Sequence, residues 1–266
     1  MGNSNDPDAT TALRAKRASS FGVHAAAYAE HRPDYPADAI QWALQPIADK
    51  QAPVVLDLGA GTGKLTGGLL AAGATVIAVE PDAEMRAELV RRLPEVTAHD
   101  GAAESIPLPN SSVDAIVAGQ AFHWFDQQRA FPEFARVLRD DGVFAALWNT
   151  DDMRVDWVAG LARVARSDTS SPLPKSGDDK LPEHPLFQDF EHAEFPHAHR
   201  RTAESLAATI GTYSYTLVVS AQQRTEVLGR VTDYLRSRPE TVEGEFDMPL
   251  RTWVIRASRR ADLVVD

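Results

Sequence analysis

The sequence predicts an α/β fold in which a parallel sheet carries helices on both faces. Three observations lead there. Short branched apolar runs alternate with segments of helical periodicity between about residues 54 and 148. The links between them are short. The first run, Val54–Leu58, passes directly into a turn with Gly59, Gly61 and Gly63 at alternate positions, where glycine lets the backbone approach a ligand closely.

The elements follow in order. Residues 1–18 are polar and small, and a disordered tail is expected. Ala37–Ala48 reads as a helix, with Pro36 and Asp38 as start signals and Pro46 as an early stop. Val54–Leu58 is a buried strand, and Lys64–Ala72 a helix stopped by Gly73. Thr75–Val79 is a strand; Ala83–Leu93 is a helix ended by Pro94. Val96–His99 is a weak strand. Val113–Ala118 is a strand after a turn at Ser111 and Ser112. Gln127–Leu138 is a helix, Asp140-Asp141-Gly142 a turn and Val143–Trp148 a strand. The alternation stops after Trp148, and Ser167–Glu183 has the composition of a loop. Helical periodicity returns at Ala203–Ile210 and Ala221–Arg236, and Leu250–Arg256 is the last strand candidate.

Composition narrows the class. At 266 residues the chain can bury a full core, and its apolar share of 44% is ordinary for a soluble protein. A net charge of −11 argues against a nucleic-acid partner, because such binding rests on phosphate neutralisation. His199-Arg200-Arg201 and Arg256–Arg260 are the only basic clusters and read as solvated surface. With no cysteine, disulfides, thiolate catalysis and Cys-based zinc sites are excluded. The polar N-terminus lacks an apolar signal core and no apolar run has membrane-spanning length, so no membrane partner and a cytoplasmic location are expected. Oligomeric state is not legible.

The glycine turn carries most of the chemistry. A dinucleotide fingerprint would need glycine where Lys64 stands. A P-loop would need glycine at Leu58 and a hydroxyl at Leu65. Both fail, leaving D-x-G-x-G-x-G from Asp57. Ligands of open parallel sheets sit beyond the carboxyl ends of the strands, where four segments converge: the turn, Glu80 after the second strand, Gly101–Glu104 after the third, and Gly119–Asp126 after the fourth. A carboxylate at Glu80 suits vicinal ribose hydroxyls, each charged hydrogen bond being worth about 1.5–3 kcal/mol.

These residues resemble the class I S-adenosylmethionine-dependent methyltransferases, in particular the type 11 group and its trans-aconitate methyltransferase-like branch. The resemblance runs from about Phe21 to Asn149. It rests on Tyr28-x-x-x-Arg32-Pro33-x-Tyr35-Pro36, the glycine turn, Val79-Glu80-Pro81-Asp82, Gly101–Pro107 and Gln120–Asp126. It implies a Rossmann-like seven-stranded, mostly parallel sheet whose last strand is antiparallel and whose final pair comes from residues after about 185. It also implies one methyltransferase domain over 19–266: a flap at 19–49, a cofactor-binding core at 50–150 and a C-terminal extension at 151–266 that completes the sheet.

The resemblance assigns roles as well. Gly59, Ala60, Gly61 and Gly63 would lie under the methionine part of S-adenosylmethionine. Asp57 would reach its amino group, Glu80 its ribose diol. Pro81 would pack on the adenine, with Ala103 and Glu104 at its edge. Gln120 and Ala121 would border the amino group. Tyr28 and Arg32 belong to the flap, Arg32 facing the cofactor carboxylate. Tyr35, Trp124 and Phe125 would line the acceptor pocket; for Trp124 and Phe125 the competing reading is packing on the next helix. The family often has an acid where Ala102 stands, so that contact comes here from Glu104, backbone or water, or is absent.

The expected activity is methyl transfer to a small-molecule acceptor by in-line displacement, with no metal. His123 is the candidate base; the competing reading is a histidine that hydrogen-bonds locally and shapes the pocket. His192, His197 and His199 lack the spacing of a metal set on one helix face. A nicotinamide-dependent oxidoreductase on a similar sheet and a non-catalytic cofactor-binding protein are the alternative functions.

Overall fold

The computed structural model describes residues 32–165, 182–211 and 219–261. The expected tail, Tyr28 with the rest of the early flap, and most of the 167–183 loop lie outside the described residues.

A seven-stranded sheet has the order β3-β2-β1-β4-β5-β7-β6. Its strands are β1 (Val54–Leu58), β2 (Thr75–Val79), β3 (Thr97–His99), β4 (Val113–Gly119), β5 (Leu138–Asp151), β6 (Glu191–Thr202) and β7 (Glu245–Ser258). β1 through β5 pair in parallel, while β7 runs antiparallel to both β5 and β6. The central strands are buried on both faces, and so β1 and β4 read as near-continuous apolar runs rather than alternating ones.

The helices are α1 (Ala37–Leu44), α2 (Lys64–Ala71), α3 (Ala83–Arg92), α4 (Gln127–Val137), α5 (Asp156–Val164), α6 (Ala203–Ile210) and α7 (Ala221–Arg236). Local chemistry sets their ends. Asp82 caps α3 by accepting from the amides of Glu84 and Met85 at 3.0 Å. Capping boxes open α6 at Thr202/Ser205 and α7 at Ser220/Gln223. None of the described helices is long and apolar enough to cross a membrane.

β5 and β7 are longer than expected, at Leu138–Asp151 and Glu245–Ser258, and further differences have local causes. α1 gives way at Leu44 to a 3-10 turn, Gln45–Ile47, because Pro46 cannot donate into a helix. The Asp140-Asp141-Gly142 turn sits inside β5 as a register shift, with Asp141 at φ 60°. α5 begins soon after β5, where no element was expected, and its apolar face is completed by α6, α7 and β7.

Two apolar clusters flank the sheet. One packs α4 and Phe187 against Leu56, Ala118 and Ala146; the other packs α1 and α2 against Val55, Val117, Leu147 and Val254. A third joins α5, α6 and α7 to Phe246, Met248 and Leu250 of β7. Strand alternation places Asn149, Asp151, Thr252, His197 and His199 on the same face as α1, and Trp148, Trp253 and His192 on the other.

Candidate active site

The glycine turn has the backbone that its residues demand. Gly59, Gly61 and Gly63 adopt φ of 70°, 56° and 84°, a region costly to residues with a Cβ. Gly59 is also sterically committed. A Cβ there would stand 2.7 Å from the Cβ of Ala121 and 3.6 Å from the Phe125 ring. The turn is tied to β2 by the Gly59 and Ala60 amides, which donate to the Val79 carbonyl at 2.8 and 3.2 Å.

Asp57 lies beneath this turn with no solvent exposure. Its Oδ2 accepts from the Thr66 hydroxyl at 2.6 Å, while its Oδ1 has no partner among the described residues. Burial, reinforced by the Glu80 charge and opposed by Thr66, pushes the carboxyl up to about 7. The Thr62 hydroxyl is likewise buried and has no partner among the described residues. Glu80 is 6% exposed. Its two oxygens accept from the amides of Gly61 and Asp82, both at 2.8 Å, and burial raises its pKa despite those bonds. Each oxygen keeps a second lone pair.

The β4 end completes the arrangement. Gln120 takes φ 55°, its amide donates to Leu147 at 2.8 Å and its side chain to the Asn149 carbonyl at 2.7 Å. The left-handed residue turns the chain so that Ala121 covers Gly59. The following 3-10 turn, Phe122–Trp124, buries Phe122 among Phe131, Phe144 and Trp148. His123 is exposed, stacks near Trp124, and its Nδ1 accepts from the Trp148 indole at 3.2 Å. A nitrogen that accepts bears no proton, so the neutral ring carries its proton on Nε2.

Beyond the ends of β2 and β3, Ala103 is buried, Pro81 is exposed, and Glu104 accepts from the Asp126 amide at 2.7 Å. One Glu104 oxygen is thus committed to holding the turn before α4. On the flap side, Tyr35 stacks its hydroxyl over Gly119, where a Cβ would stand 2.6 Å away. Asn149 donates to the Asp34 carbonyl at 3.1 Å, and Lys64 pairs with Asp34 at 3.0 Å. Arg32 lies near the partly buried Asp151, whose carboxyl burial pushes up to about 6 against the lowering effect of that guanidinium.

The structure therefore brings Asp57, the glycines, Glu80, Gln120, Ala121 and Phe125 to one end of β1 and β4. It places His192 across the sheet from His197 and His199, so these three do not converge. Thr66, Trp148, Asn149 and Thr252 were not anticipated. Thr66 had a faint signal, a hydroxyl within the apolar α2 run; the others are read only from which strands become neighbours.

The donor set fits S-adenosylmethionine. An ammonium supplies hydrogens for the unpartnered Asp57 oxygen, and a ribose diol can use the remaining lone pairs of Glu80.

Comparisons with known proteins agree with this geometry. A family model described as a methyltransferase domain matches residues 56–146. An uncharacterized methyltransferase of Mycobacterium tuberculosis is 39% identical over 249 residues, spanning 93% of this chain and 99% of its own length. One from Schizosaccharomyces pombe is 29% identical over 223 residues, 83% of this chain and 88% of its own. A solved structure of a candidate type II methyltransferase from Anaeromyxobacter dehalogenans superposes with a TM-score of 0.58 at 26% identity, covering 86% of this chain and 97% of that one.

Proposed function

The chain belongs to the class I methyltransferase family, and on that premise we propose that it moves a methyl group from S-adenosylmethionine to a small-molecule acceptor by in-line displacement. The observation that carries the cofactor is Asp57: a fully buried carboxylate with one oxygen unpartnered beneath three left-handed glycines. A buried acceptor without a donor is costly, and a cationic amine relieves that cost.

Gly59, Ala60, Gly61 and Gly63 would form the floor, Asp57 and the Gln120 carbonyl would hold the amino group, and Glu80 the ribose. Pro81, Ala103 and Glu104 would meet the adenine, Ala121 would close against the turn, and Tyr28 and Arg32 would cover the site from the flap. The bound cofactor supplies an already activated methyl on a sulfonium, so the protein's task is alignment, which contributes roughly 7–11 kcal/mol in well-oriented reactions. Tyr35, Trp124 and Phe125 would line the acceptor side, where aromatic faces near the sulfonium add about 0.5–2 kcal/mol. His123 enters as a wall of that pocket, donating through Nε2, since Trp148 occupies its Nδ1.

Calorimetry separates the readings. S-adenosylmethionine and S-adenosylhomocysteine should bind, and NAD should not; NAD binding alone would replace this proposal with an oxidoreductase. Tight cofactor binding with no methyl release on any acceptor would make the protein a non-catalytic binder.

A further inference from the structure

A chain of hydrogen bonds at the open end of β5, β7 and β6 fixes the state of a histidine outside the cofactor cradle. Asn149 points its amide nitrogen at the Asp34 and Pro33 carbonyls, at 3.1 and 3.5 Å, which leaves its Oδ1 as an acceptor. The Thr252 hydroxyl donates to that oxygen at 2.6 Å. Its only hydrogen is then spent. Thr252 Oγ1 meets His197 Nδ1 at 3.4 Å, and with the hydroxyl hydrogen committed elsewhere, only an N–H on Nδ1 makes that contact attractive. The ring's other nitrogen, Nε2, therefore carries a lone pair. It is buried and has no partner among the described residues.

The surroundings point to a ligand. In the sheet, His197 and Asp151 stand on either side of Leu250, and Thr252 lies between Asn149 and Phe195 in the adjacent row. Neighbouring strands are about 4.8 Å apart, so His197 and Asp151 are separated by about 10 Å with the buried Leu250 between them. This polar seam falls between the apolar cluster under α1, which includes Phe195, and the one under α5, α6 and α7, which includes Leu250. It is joined to the cofactor end by Gln120, whose side chain donates to the Asn149 carbonyl. Burial holds the His197 pKa below the ordinary histidine value, against the raising effect of a hydrogen bond to the Phe195 backbone, in keeping with a neutral ring. Nε2, having no partner among the described residues, does not make that bond, so the Phe195 backbone and Thr252 both favour a proton on Nδ1.

We propose that His197 is a specificity-determining residue: its Nε2 accepts a hydrogen bond from a hydroxyl or amine of the methyl acceptor, and Thr252, together with the Phe195 backbone, is a positioning group that keeps that nitrogen unprotonated. The assignment rests on the methyltransferase reading above. It selects acceptors that bring a donor to this seam over isosteric molecules in which that donor is blocked, because only the former satisfy the buried nitrogen.

Long-range proton–nitrogen correlation spectra of the full-length, histidine-labelled protein test it, recorded with and without S-adenosylhomocysteine. The His197 proton is expected on Nδ1. Phenol and aniline should shift the Nε2 resonance, and anisole and toluene should not. Thr252→Val should spread the proton over both nitrogens and weaken phenol binding by about fivefold to tenfold, while Thr252→Ser restores both. A proton on Nε2 in the native protein, an equal response to phenol and anisole, or an unchanged tautomer in Thr252→Val would overturn the assignment. If S-adenosylhomocysteine fails to bind, the cofactor reading falls, and the tautomer measured in the unliganded protein still decides the role of Thr252.

Discussion

Asp57→Asn should make the unliganded protein more stable at neutral pH while weakening cofactor binding. The native carboxyl titrates near 7 when folded, against an ordinary value of 3.8. Between those values the folded chain retains a proton that the unfolded chain has released. A raised folded pKa contributes stability below the lower value, and that stability is lost as pH rises through the higher one. The gap is roughly 3 units, and at 1.36 kcal/mol per unit the loss is on the order of 4 kcal/mol. The group is fully buried, so solvent screening does not discount it. Asparagine keeps an acceptor for Thr66 and has no proton to lose. Urea unfolding of both proteins at about pH 4.5, about 6 and about 8 should show the variant's advantage growing with pH. S-adenosylmethionine reverses the ranking, because its ammonium needs the charge; the variant should bind at least about tenfold more weakly. Binding to the native protein below pH 7 should also release a proton. A stability difference that is flat across the range would refute the buried-carboxylate argument.

Three further outcomes follow from the site. Glu80→Ala strands the Gly61 and Asp82 amides and removes the diol partner, so calorimetric affinity for S-adenosylmethionine should fall about tenfold or more; unchanged affinity would sink the ribose role. Gly59→Ala forces a Cβ to within 2.7 Å of Ala121 at a positive φ, and scanning calorimetry should show a loss of about 2–4 kcal/mol from strain and overpacking together. For His123→Ala, once an acceptor is found, turnover should drop without loss of the acidic limb of the pH profile, since Trp148 already engages Nδ1; disappearance of that limb would restore His123 as the base.

The parallel half of the fold was legible because its determinants are local. Val54–Leu58 is buried on both faces and so is apolar apart from Asp57; Asp82 and Pro94 mark the α3 ends; glycines at alternate positions in D-x-G-x-G-x-G mark a tight turn. The C-terminal half resisted reading for the opposite reason. β6 carries charged and histidine residues on both faces and so lacks an apolar alternation, and α5 has an apolar face that α7 and β7 complete. Their identity depends on partners distant in sequence.

The same division holds at the site. The sequence by itself determined which strand ends carry the glycine turn and the carboxylates Asp57 and Glu80 beside it, since spacing along one strand and turn suffices for that. Tertiary structure decided protonation and orientation. Only the fold buries Asp57 and leaves one oxygen unpartnered, turns the Trp148 indole toward His123 Nδ1, and lines up Asn149, Thr252 and His197 across three strands. Hydrogen-bond direction and desolvation are properties of neighbours in space, and the order of residues along the chain does not encode them in any local pattern.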